Sequence, residues 1–98
     1  MKNDVKVFKL VCGEEIIASV IERISPKSSE ENNLITLYRP CLLQGIDRSR
    51  SPQWILSPWI GQAKNEKLTI SSKHIIFEGD PSIDAENNYL SLVSGLSL

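Results

Sequence analysis

The sequence predicts a mainly β fold: a small five-stranded, strongly bent antiparallel barrel followed by a C-terminal α-helix. Three observations carry that expectation. Short runs rich in β-branched and aromatic residues alternate with polar, turn-forming segments. Pro40 and Pro58 fall inside apolar runs, which requires bends, bulges or edges there because proline cannot donate to a ladder. After Asp80-Pro81 the apolar period changes from that of a strand to that of a helix.

Val5, Val7, Phe8, Leu10 and Val11, set among lysines, form the first strand over residues 5–11, and Gly13 supplies the turn that follows. In the second strand Ile16, Ala18 and Val20 share one face, while Ile17 and Ile21 share the other with Ser19 between them. Both faces are partly apolar and both need cover. A small closed barrel that also packs against a helix or a neighbouring subunit provides it. Ser25 to Asn33 has the composition of an exposed hairpin connection. Leu34, Ile35, Leu37 and Tyr38 open the third strand, and Pro40 bends it within the run to Leu43. Gly45 to Pro52 is a second polar loop, and Trp54 to Ile60 is the fourth strand, with Pro58 favouring an edge. A third polar connection, Gly61 to Glu66, leads into a fifth strand made of Leu68-Thr69-Ile70 and Ile75-Ile76-Phe77, with a break around Ser71-Ser72. The helix is expected over 81–94. Asp80 suits the N-cap, Pro81 the first helical position, and Asp84 and Glu86 the positive end of the dipole. Ile83, Tyr89, Leu90, Leu92 and Val93 form its apolar stripe, and Gly95 ends it.

At 98 residues the chain makes one domain, and 41% apolar content is enough for a modest core. Eleven basic and twelve acidic residues leave a net charge of -1, so no overall positive field attracts nucleic acid or membrane, and any such binding comes from a local patch. Cys12 and Cys41 fit neither a disulfide framework nor a zinc spacing and read as buried free thiols. Met1-Lys2-Asn3-Asp4 runs into a strand pattern with no apolar signal segment, and no stretch reaches membrane-spanning length; a cytoplasmic protein without a membrane partner is expected. Enzyme readings find little support. There is one histidine, no nucleophile in a recognisable base motif, no phosphate-binding glycine loop, and no HExxH or CxxC. Glu14 and Glu15 are neighbours on a strand pattern and point to opposite faces, which does not suit paired acid-base work. No catalytic residue, cofactor or metal ligand is expected.

Leu10, Gly13, Ile16 and Val20 resemble the first motif of the Sm and Sm-like family, with Ala18 where a second glycine is usual, and Asn33-Leu34-Ile35-Thr36-Leu37 resembles the end of that motif after a longer loop. Lys73-His74-Ile75-Ile76 is similar to a stretch of the bacterial Sm-like RNA chaperone. Nearly the whole chain also resembles small proteins of T4-like phages and marine cyanophages, through Lys9 to Glu15, Leu56 to Trp59 and Tyr89 to Gly95. The chain departs from the Sm pattern at Ile70-Ser71-Ser72, where the family usually has Ile-Arg-Gly, and at Ser29, where an acidic residue usually stands.

The resemblance implies an Sm-like (SH3-type) barrel that assembles as a homo-oligomeric ring. Its fourth strand, with Trp54, Leu56 and Trp59, would pair head to tail with Ile75, Ile76 and Phe77 of the next copy, the tryptophans serving as interface aromatics. It also implies contacts to RNA or single-stranded DNA. Lys73 and His74 would face a pore, and Tyr38 and Arg39 would stand where the family binds RNA. Apart from the resemblance, Arg48 and Arg50 near Trp54 offer a cationic stacking patch for single-stranded nucleic acid. Each has a plainer alternative: a solvated strand pair, a core or interface tyrosine, a charged loop tip. Two functions follow as expectations, a ring that binds nucleic acid and a ring-shaped scaffold that binds phage or host proteins instead.

Overall fold

Gly13 holds a φ of 97°, which favours glycine, and turns the chain between its first two strands, with Gly13 N–H donating to the Leu10 carbonyl at 2.9 Å. The computed structural model describes residues 4–25, 33–46, 53–59 and 66–96. Within them lie β1 (Val5–Leu10), β2 (Glu15–Ile24), β3 (Leu34–Ile46), β4 (Gln53–Pro58), β5 (Lys67–Ser71), β6 (Ile75–Gly79) and α1 (Ile83–Leu96). All ladders are antiparallel. The strand order is β4-β3-β2-β1-β6, and β5 lies off this path on β3. Long β3 serves two partners, pairing with β5 over Leu34–Tyr38 and with β4 over Cys41–Ile46.

The sheet differs from the sequence expectation in two respects. The described strands number six, not five, because a 3-10 turn over Ser72–His74 separates β5 from β6. Serine causes that break: Ser71 Oγ accepts the Lys73 amide at 3.4 Å, offering the backbone a turn in place of a ladder. The ladders also form an open path, since β5 and β6 are joined by the turn and not by hydrogen bonds along their length. The sheet is therefore not closed into a barrel.

Two bulges shape the sheet. Ile17 pairs with Cys41 and Ser19 with Tyr38, so β3 carries an extra residue there, and Arg39 within it has a φ of 46°. The extra residue reverses which face odd-numbered side chains occupy. Ile35 and Leu37 pack with Phe8, Leu10, Ile16 and Ala18, whereas Cys41 packs with Val5, Ile17 and Tyr89. The second bulge is at Ile21, between the Val20–Leu37 and Glu22–Thr36 pairs; Ile21 is exposed, not buried beside Ile17 as the alternation suggested.

Each face of the sheet thus has its own core, as the two-sided apolar pattern of β2 requires. Fully burying Phe8, Ile16 or Ile17 contributes about 1.5–3 kcal/mol each. Helix α1 covers the second core with Tyr89, Ala85, Leu90, Leu92 and Val93. Its cap lies two residues later than expected: Ser82 Oγ accepts the Ala85 amide at 3.2 Å, and Asp80 instead bonds Lys6 Nζ at 2.6 Å. The helix runs on through Gly95, and Ile83 at its start is 77% exposed, outside the stripe. Among the described residues no helix is long and apolar enough to cross a membrane.

Candidate functional site

The strands converge at one end on a cleft. Ser72 N–H donates to the Asn33 carbonyl at 2.8 Å, which joins the start of β3 to the turn between β5 and β6. The cleft has a volume of about 200 Å³ and is walled by Arg23, Ser25, Asn33, Ile35, Ser72 and Glu78 among others. Arg23 at the end of β2 meets Glu78 of β6 in a two-pronged pair, Nη1 to Oε1 at 3.0 Å and Nη2 to Oε2 at 2.6 Å. That bond to Glu78 raises the Arg23 pKa further above its ordinary value. Both side chains stay in contact with solvent, 44% and 30% exposed.

Lys73 and His74 follow directly on Ser72 and are exposed. The turn that carries them is fixed at both ends, through the Ser71 cap and through Val11 N–H, which donates to the His74 carbonyl at 2.9 Å. Neither side chain has an ion-pair partner among the described residues, unlike Lys6, Lys9, Arg23 and Arg39. The Ser72–Asn33 bond sets the turn that carries Lys73 and His74 against the start of β3.

Tyr38 and Arg39 lie elsewhere. Tyr38 is four residues along β3 from Leu34, about 13 Å of strand, and pairs with Lys67. The Arg39 guanidinium bonds the Glu66 carboxylate and donates to the Val93 carbonyl of α1 at 3.2 Å, with Cζ 5.5 Å from the centre of the Tyr38 ring. Its side chain is only 14% exposed. Those bonds tie the bulge of β3 to the last turns of the helix, where a cation also suits the dipole. Arg48 and Arg50 lie outside the described residues.

Of the expected interface set, Leu56 packs on the helix-side core, while Trp59 and Ile75 pack on the other. The Trp59 indole N–H donates to Glu14 Oε1 at 3.1 Å. Trp54 is described in its backbone alone, which pairs with Gly45. Ile76 and Phe77 are different: they are 64% and 60% exposed on β6, an end strand of the sheet. A register shift between the Leu10–Ile75 and Lys9–Phe77 pairs leaves Ile76 without a ladder partner.

Arg23 and Glu78 are the cleft residues that sequence reasoning missed. They lie 55 positions apart, and only the curl of the sheet brings them together. Among the described residues no group of three or more His, Cys, Asp or Glu is placed to hold a metal ion. No protein-family model matches the chain, and no curated protein matches it.

Proposed function

We propose that this chain is an Sm-like, ring-forming protein that binds RNA or single-stranded DNA weakly at the face carrying Asn33, Lys73 and His74. The strand order carries the proposal. β4 and β6 stand at opposite ends of the strand path, and each has one ladder partner among the described strands, as does β5 on β3, so the edge of β4 can pair with the edge of β6 on the next copy. Head-to-tail pairing of that kind closes into a ring when the rotation closes. Exposed Ile76 and Phe77 support this site of assembly, because burying them against a neighbour removes apolar surface from water. Lys73 and His74, exposed and without an ion-pair partner among the described residues, support the nucleic-acid face, since phosphate and base contacts need uncommitted donors. The resemblance to small phage proteins makes a phage origin, and the cytoplasm of an infected host, part of the same reading.

A second reading keeps the ring and replaces nucleic acid with phage or host proteins. The commitment of Arg39 to Glu66 and Val93 favours it, because that arginine is then unavailable to a base or phosphate. Titration of the purified protein with a labelled oligonucleotide over a salt series separates the two. Binding that weakens as salt rises supports the nucleic-acid reading; no binding at low ionic strength refutes it and leaves the scaffold.

A further inference from the structure

We infer that the cleft between β2, β3 and β6 is a phosphate subsite on Arg23 that Glu78 occupies from within, so that a nucleotide phosphate binds by displacing Glu78. The inference rests on the proposed nucleic-acid face and names the group that the face would grip. A carboxylate held by both prongs of a guanidinium marks the geometry that a phosphate takes on the same fork. Arg23 therefore presents a phosphate-shaped donor pair to the cleft, with Glu78 filling the place of the anion.

The two arginines bonded to carboxylates among the described residues differ in a way that decides which is exchangeable. Arg39 is bonded to Glu66 and to a helix carbonyl and is 14% exposed; breaking those contacts would release the end of α1. Arg23 has Glu78 as its hydrogen-bond partner, and both members are open to water. Exposed pairs contribute little to stability, so exchanging one anion for another on Arg23 is cheap. The remaining walls suit a nucleotide. Ser25, Ser72 and Asn33 carry side-chain donors for phosphate oxygens, and Ile24 and Ile75 offer apolar surface to a sugar or base. A volume of about 200 Å³ lies below the roughly 300–1,000 Å³ of clefts that enclose a drug-sized ligand, which limits the site to one nucleotide unit.

The test compares wild type, Glu78→Gln, Arg23→Gln, the double variant and Glu22→Gln by titration with a labelled oligouridylate and, separately, with uridine monophosphate and inorganic phosphate. Glu22→Gln removes the same charge one position from Arg23 and leaves the fork paired, so it controls for net charge. Glu78→Gln is expected to bind about two- to fivefold more tightly than wild type, the range an exposed ion pair can supply. Glu22→Gln should gain less, and the double variant should lose the gain. Glu78→Asp, which shortens the arm, serves if Glu78→Gln does not fold. Oligonucleotide binding that is present but indifferent to both Arg23 and Glu78 overturns the subsite and leaves the nucleic-acid face standing. Arg23-dependent binding of the monophosphate and of inorganic phosphate, without oligonucleotide binding, supports the subsite as one for free phosphate compounds and removes the nucleic-acid face. An equal gain in Glu22→Gln and Glu78→Gln overturns the exchange.

Discussion

The Tyr89 hydroxyl donates to the Tyr38 carbonyl oxygen at 2.6 Å and accepts from the Ser19 amide at 3.0 Å. A helix side chain thereby stands between two strands, at the pair where the bulge around Arg39 disturbs the ladder. Tyr89 is fully buried, so no water competes for either backbone group.

Replacing Tyr89 by Phe keeps the ring and removes the bridge, leaving a buried donor and acceptor unpaired. The expected loss is about 1–3 kcal/mol, read as a lower urea midpoint at an unchanged slope. An unchanged midpoint would show that the hydroxyl bridge contributes nothing net to stability.

The same residue sets an alkaline limit on stability. Burial holds the Tyr89 phenol above its ordinary pKa of 10.0, against the opposing pull of its bonds to Ser19. The folded value is thus above the unfolded one, so the contribution of the neutral phenol is complete below about pH 10 and is lost as pH rises through the folded value. Wild-type stability should fall more steeply above that pH than that of Tyr89→Phe. Parallel curves would contradict the assignment.

Much of this arrangement was legible in the sequence, and the gaps have physical causes. Apolar residues on both faces of Glu15–Ile24 already required a second layer, and α1 supplies it through Tyr89. Ser71-Ser72 announced the break between β5 and β6, though not its consequence for sheet closure. Bulges were the main loss. A single extra residue inverts the alternation that strand reading depends on, and nothing in Tyr38-Arg39-Pro40 says which residue is extra. The Arg23–Glu78 cleft was invisible for a related reason, since it arises from curvature and not from spacing.

Arg39 combines an unfavourable backbone with useful side-chain bonds. At a φ of 46° glycine is the comfortable residue, while the guanidinium holds Glu66 and Val93. Arg39→Ala loses the bonds and keeps the strain; Arg39→Gly loses the bonds and relieves it. The glycine variant should unfold at higher urea than the alanine variant, and the reverse order would argue against strain at this bulge.

The two thiols should separate chemically. Cys12 is not buried as expected but exposed in the turn beside Glu14, whereas Cys41 is buried and its pKa is raised by that burial. A thiol reagent should modify Cys12 rapidly in the native protein and Cys41 only after denaturation. Fast reaction of both would mean that the helix-side core opens readily.

Lys73 and His74 are exposed and, like Lys67, have no ion-pair partner among the described residues. Lys73→Ala should weaken oligonucleotide binding and reduce the slope of log affinity against log salt by about 0.7, the share of one single-strand phosphate contact. His74→Ala tests base contact and should weaken binding with less change in slope. Full binding by the double variant would move the interface elsewhere.

Assembly through β4 and β6 is tested most directly by the native mass of wild type beside that of Ile76→Asp. Ile76 is 64% exposed in the single subunit, so the charge should leave the subunit fold and its circular dichroism intact. Wild type should sediment as a discrete oligomer and Ile76→Asp as a folded monomer, because the substitution buries a carboxylate only in the assembled contact. A monomeric wild type, or an oligomer of unchanged mass in the variant, would contradict the pairing of β4 with β6.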